Sequence, residues 1–276
     1  MSELAGLHAR RLASWRQTPE ARIRDVEDAG RELARLGIVT LYPVSSEIPD
    51  LYHAYMGDPE AKTDPNWDSP SGEVYTWRWL LGRREIALYA ALVRGRPTWI
   101  HWEVLPAVLR LCGELRTPDE LYDTGLLSLA AYRIAQALEK AGGTLQTGDL
   151  RQAASFPTGK DQRAAYLKAV NELDTRLLVA KSFADGDDQM RHTLVAARFP
   201  EHVAAAERLS RETAIEALLR VYLPYALYAL PTVLARHLKL PEAEVQAGLE
   251  RLVASGQVRT ASFPEQKGVC YIWQED

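Results

Sequence analysis

Ser128-Leu129-Ala130-Ala131-Tyr132-Arg133-Ile134-Ala135-Gln136-Ala137-Leu138-Glu139-Lys140 opens the stretch that decides the fold. Ser128 is a helix-capping residue, and Leu127, Ala131, Ile134 and Leu138 fall on one helical face. Gly142-Gly143 stops that helix. Thr147 is placed to cap a short second helix over 149–154, and 160–174 reads as a third with Leu167, Val170 and Leu173 inward. Residues 177–183 read as a strand, Asp185-Gly186-Asp187-Asp188 as a turn and 193–199 as a second strand. Three helices followed by a hairpin is the winged-helix order, a variant of the helix-turn-helix.

Downstream the plan recurs. Ser210 caps a helix from Arg211, 230–238 is a short second helix, and Pro241 opens a third over 242–254 that Gly256 ends. Strands at 257–263 and 269–273 flank the turn Glu265-Gln266-Lys267-Gly268. Upstream the pattern is looser. Residues 1–20 set Arg10, Arg11 and Arg16 around Trp15, either as a helix packing on the body or as a basic arm. Thr18-Pro19-Glu20 reads as the start of a helix carrying Ile23, Val26, Leu33 and Leu36, and Gly37 ends it. A strand or buried extended segment, 38–44, follows. The expected fold is mainly α with small β-hairpins, an α+β chain of tandem winged-helix modules at 1–116, 117–203 and 204–276.

Charge is uneven along the chain, whose net value is −4. Residues 45–73 are acidic and broken by prolines, either a solvated loop or the source of a carboxylate for a site. Residues 74–110 reverse the sign, with Arg78, Arg83, Arg84, Arg94, Arg96 and Arg110 among Tyr75, Trp77, Trp79, Tyr89, Trp99 and Trp102. Arginines between rings suit phosphate contact and base stacking, and equally suit a core with solvated edges. On helix 160–174, Lys160, Gln162, Arg163 and Lys168 are candidate DNA contacts. Asp185, Asp187 and Asp188 at the wing tip oppose phosphate. Glu242 and Glu244 open the last helix, where they complement its dipole and disfavour base reading.

Two further stretches carry a resemblance: Leu36-Gly37-Ile38-Val39-Thr40-Leu41-Tyr42-Pro43-Val44 and Arg94-Gly95-Arg96-Pro97-Thr98-Trp99-Ile100. The chain resembles the AlkZ/YcaQ-type DNA glycosylases, and within them the AlkZ-related branch. The resemblance implies tandem winged helices, a DNA-repair setting and duplex DNA, damaged or intact, as partner. Enzymes of this type cut the N-glycosidic bond of alkylated purines without a metal or cofactor. A glutamine–aliphatic–glutamine motif holds the attacking water and steadies charge developing on the sugar. The matching positions here are Thr40, Leu41 and Tyr42. Asp50, one turn before His53, is the nearby carboxylate that could orient water instead. Thr40, Tyr42 and Asp50 are therefore the candidate catalytic positions. The sequence stops after the third module, where the active enzymes are expected to continue into a β-rich domain.

Three readings follow: a DNA-binding relative without the usual glutamines, a glycosylase with a replaced water-holding site, and a protein-interaction scaffold. Gly-rich phosphate loops, HExxH, paired CxxC and GxSxG motifs are missing from the sequence. Cys112 and Cys270 lie far apart in apolar surroundings and read as reduced core thiols, which points to the cytoplasm, with the nucleoid as the site if DNA is bound. No apolar run reaches membrane-spanning length, and Met1-Ser2-Glu3-Leu4 lacks a signal pattern.

Overall fold

One element order occurs three times in the structure, a computed structural model that describes residues 2–156, 159–186 and 188–274. Helix α1 (Glu3–Ser14) precedes the first unit. That unit runs α2 (Val26–Leu36), β1 (Ile38–Thr40), α3 (Leu51–Met56), α4 (Pro70–Arg83), β2 (Ala87–Ala91) and β3 (Pro97–His101). After α5 (Leu105–Cys112) and α6 (Pro118–Asp123), the second runs α7 (Leu129–Lys140), β4 (Thr144–Gln146), α8 (Thr147–Ala153), α9 (Lys160–Asp174), β5 (Val179–Ser182) and β6 (Arg191–Leu194). Then α10 (Val195–Arg198) and α11 (Pro200–Arg208) lead to the third. It comprises α12 (Arg211–Ala226), β7 (Tyr228–Ala229), α13 (Pro231–Leu238), α14 (Glu242–Ala254), β8 (Val258–Ser262) and β9 (Val269–Trp273).

The strand topology is the same each time. The short strand after the first helix pairs antiparallel with the last strand, which pairs with the one before it. Tyr89 opposite Lys181 joins the first two units into one six-stranded sheet, β1-β3-β2-β5-β6-β4. The fold is mainly α with small antiparallel sheets, and helix–strand–helix–helix–hairpin is consistent with the winged-helix order expected.

Local chemistry explains most boundaries. The side chains of Asp25, Ser69, Ser128 and Ser210 accept backbone N–H groups at the starts of α2, α4, α7 and α12. Thr117 and Glu120 form a reciprocal capping box on α6. Leu167, expected inward on α9, is exposed while Tyr166 and Ala169 are buried there, and four expectations about element bounds and caps also need correction. The first-unit helix starts at Val26, not near Thr18, because Asp25 caps it while 18–22 form a turn. The segment after Gly37 is a strand only to Thr40; Pro43, lacking an N–H, lies where a longer ladder would need one. Thr147 caps nothing; it is the first residue of α8, and its hydroxyl donates to the Met190 carbonyl at 2.9 Å. The strand expected at 193–199 ends at Leu194, and the Phe199 N–H bonds the Val195 carbonyl, turning the rest into α10. In the wing turn, Asp187 lies outside the described residues.

Burial divides the chain unevenly. One core joins the first and third units, with Trp15, Leu33, Trp77, Trp99, Leu218 and Leu249 in a single cluster. The second unit has its own, including Leu121, Ile134, Leu138, Leu150 and Leu173. Helix α1 packs on the body: Leu7 is buried, and Arg11 is fully buried beside Tyr228. Among the described residues no helix is long and apolar enough to cross a membrane.

Gly37 sits at the seam between the first and third units. Its φ is 75°, and a Cβ there would lie 2.4 Å from Val221 Cγ1 on α12. Gly37→Ala is therefore expected to destabilise the protein by about 2–3 kcal/mol, combining a left-handed backbone with overpacking. Urea denaturation checks this; an unchanged midpoint would contradict the contact.

Candidate functional site

Strand β1 brings the motif positions to the first unit's α3–α4 side, and the structure gives each a distinct role. Thr40 is fully buried. Its N–H and its hydroxyl both donate to the Pro49 carbonyl, at 3.0 Å and 3.3 Å. Tyr42 is half-buried, and its hydroxyl donates to the Ser71 carbonyl at 2.8 Å. Burial raises the Tyr42 pKa, so the phenol stays protonated at neutral pH. Asp50 is 1% exposed and caps α3, accepting the His53 N–H at 2.8 Å. It also accepts from Gln17 Nε2 at 3.3 Å.

Asp50 and His53 form a close pair, Oδ2 to Nδ1 at 2.9 Å. His53 Nε2 stands 3.2 Å from the Ala61 carbonyl. That carbonyl can only accept, so Nε2 carries a proton, and the proton between Nδ1 and Asp50 is shared by the pair. Burial raises the Asp50 pKa, with His53 opposing it. Burial pulls His53 down, but the hydrogen bond and charge of Asp50 outweigh it, and the net shift is upward from 6.5. Both shifts mean that the folded pair holds a proton the unfolded chain releases. The His53 contribution is complete below about pH 6.5 and is lost as pH rises through its folded value, whereas that of Asp50 is complete only below about pH 3.8. The melting temperature is expected to fall as pH rises above about 6.5 more steeply than in His53→Gln, the direction set by the upward shift. Parallel curves would show that the pair does not titrate there.

Two clefts open on either side of Tyr42 and Pro43. The larger, about 640 Å³, is lined by Tyr42, His53, Lys62, Asp64, Ser71 and Tyr75 among others. Trp67 packs edge-on against Tyr75 and is 66% exposed. The smaller, about 490 Å³, is lined by Leu41, Tyr42, Pro43, Val44, Arg94, Arg96 and Pro97. Antiparallel pairing of β1 with β3 places the 94–97 turn beside the residues that follow Thr40. The two stretches that carried the resemblance thus form one wall.

Residues 23–229 match the family described as AlkZ related. The chain belongs to that family. The fold is also that of the Streptomyces sahachiroi DNA glycosylase AlkZ, at 14% identity and a TM-score of 0.57 over 96% of this chain and 69% of that one. No curated protein matches the sequence. In this AlkZ-related chain, the positions expected to hold glutamines have their side-chain oxygens engaged with backbone carbonyls, Thr40 on Pro49 and Tyr42 on Ser71.

The basic residues separate into groups. Arg94 and Arg96 are exposed on the smaller cleft, with no carboxylate partner found among the described residues. Arg78 lies over the Tyr75 ring at 3.4 Å and near Trp79, with its Nε buried and unpartnered. Arg83 donates to the Ala184 carbonyl and pairs with Asp188, tying α4 to the second unit's hairpin. Arg84 pairs with Glu27. Lys160, Gln162, Arg163 and Lys168 are all exposed on α9. The rings of 74–110 divide too: Trp77, Tyr89 and Trp99 are core, while Tyr75, Trp79 and Trp102 are partly exposed. Sequence reasoning did not single out Lys62, Asp64 or Ser71 as cleft residues: the loop before α4 brings the first two to the cleft, and α4 brings Ser71. Tyr75 and Arg78 had a signal, because their i,i+3 spacing on a helix allows stacking.

Proposed function

We propose that this AlkZ-related protein binds duplex DNA, damaged or intact, through its first and second winged-helix units, without the water-holding glutamines of the active enzymes. The units are those at 1–116 and 117–203, with 204–276 as a packing module. One observation carries the reading. Arg94 and Arg96, free of carboxylates among the described residues, rim a cleft whose floor is Tyr42 and Pro43. Guanidinium groups in that setting neutralise phosphate and release counterions. Lys160, Gln162, Arg163 and Lys168 on α9 extend the exposed basic surface in the second unit. Work on the nucleoid within the cytoplasm is the setting this implies.

A glycosylase reading rests on Asp50 and His53 beside the larger cleft. It is the weaker one: Asp50 is buried and committed to His53 and Gln17, and Thr40 and Tyr42 offer no idle carboxamide. The acidic start of α14 favours a scaffold role for the third unit alone, and Glu244 there pairs with Arg211. The test incubates protein with N7-alkylguanine duplex, recording base release and binding at low and high salt. Salt-sensitive binding without release is expected. Release lost in Thr40→Ala or Asp50→Asn would establish the enzyme, and no binding at any salt would leave the scaffold.

A further inference from the structure

Ser45 follows the Tyr42–Val44 wall of the smaller cleft and meets a side chain from the third unit. Its Oγ is 2.5 Å from His237 Nε2 on α13. The Glu47 N–H donates to the same Oγ at 3.1 Å. Ser45 is half-buried, while His237 is 1% exposed and its Nδ1 is buried without a hydrogen-bond partner. Helix α13 packs against the 93–95 turn that carries Arg94. Ser45, His237 and the turn that carries Arg94 thus meet where the first and third units pack together, next to the smaller cleft.

We propose that Ser45 and His237 are a nucleophilic dyad that hydrolyses small carboxylic esters bearing an anionic group, with Arg94 and Arg96 holding the anion. With its O–H donated to His237 Nε2 and one lone pair accepting the Glu47 N–H, Ser45 Oγ keeps a second lone pair for attack. Oγ bonds to the ester carbonyl carbon while its proton passes to His237 Nε2. The C–O bond to the alcohol breaks, and the alcohol leaves with that proton. Water then attacks the acyl group on Ser45, giving one proton to His237, and Oγ recovers it as the carboxylic acid departs. Burial, then the charges of Arg236 and Arg94, hold His237 below its ordinary 6.5, so the ring is neutral and able to accept at pH 7. A purely structural latch between units would need no such reactivity.

The test uses the full chain and a fluorophosphonate, which forms a P–O bond to an activated serine as fluoride leaves. Mass spectrometry should place one adduct on Ser45, none on the adjacent Ser46, and none in Ser45→Ala. His237→Gln should cut labelling by about 100-fold, the usual scale of losing a general base. Arg94→Ala should raise KM for mono-(4-nitrophenyl) succinate well beyond any change for 4-nitrophenyl acetate, a readout that stands even if the His237 variant misfolds. No adduct on Ser45, or an equal rate in folded His237→Gln, overturns the dyad. Equal KM effects on both esters overturn the anion site. DNA binding plays no part in these readouts.

Discussion

Exchanging both Arg94 and Arg96 for glutamate is expected to weaken duplex binding by about 100-fold at low salt and to lower the salt slope by about 2. Each arginine is exposed at the cleft rim with no carboxylate partner found among the described residues, so each can take a phosphate without first breaking an ion pair. A loss of about 100-fold corresponds to about 2.7 kcal/mol, a scale at which two phosphate contacts suffice. Stability should barely change, because exposed side chains without packing roles move the midpoint little. Arg84→Glu is the control. Its guanidinium is already paired with Glu27 at 2.6 Å, so reversal there should alter affinity by less than about threefold. Fluorescence anisotropy across a salt series reads all three proteins. Equal loss in the control and the double variant would mean that only net charge matters, and no loss in either would remove the 94–97 turn from the interface.

The largest stability effect is expected at Arg11. Its side chain is fully buried, and it donates Nε to the Ala226 carbonyl at 2.7 Å, one terminal nitrogen to Glu47 at 2.6 Å and the other to the Tyr228 carbonyl at 2.5 Å. The guanidinium also lies 3.5 Å from the Tyr228 ring centroid. Arg11→Met keeps much of the volume but strands the Glu47 carboxylate and two carbonyls. A loss of about 3–5 kcal/mol follows, mostly the cost of leaving a partly buried charge alone. Adding Glu47→Gln should recover part of it, because the stranded group is then neutral. Urea unfolding of both variants decides the matter. A single variant within about 1 kcal/mol of the parent would show that the site rehydrates, as surface pairs do.

Arg11 also shows where legibility ended. The apolar stripe of α1 was readable, with Leu7 inward, but the stripe alone left its arginines open to two uses. Only the arrival of β7 and the Glu47 loop turned one of them into a buried anchor. The same division holds at the site. Gly37 and the β-branched residues after it announced a helix end and a short strand, because left-handed turns and pleated backbone select those residues locally. The fate of Asp50 was not local: its carboxylate was visible, but its burial depends on Gln17, thirty-three residues away in sequence. Tyr42 was legible as a candidate catalytic position, but only α4, by presenting the Ser71 carbonyl, engages its hydroxyl.

The sequence by itself determined the main helices of the last two units, the caps at Ser128 and Ser210 and the repeated order of those units. Those follow from periodicity and from residues within one turn of each other. It also carried the family, through two short stretches that pair as neighbouring strands. The tertiary structure alone decided the threefold recurrence of the strand order, since the three-residue strands β1 and β4 and the two-residue β7 are too short to show a period and exist only by pairing with a distant hairpin. It likewise decided which arginines remain available. Arg83 and Arg94 read alike in sequence, but one lies within reach of Asp188 across the hairpin and the other does not, and the energy of a charge depends on what stands beside it in space.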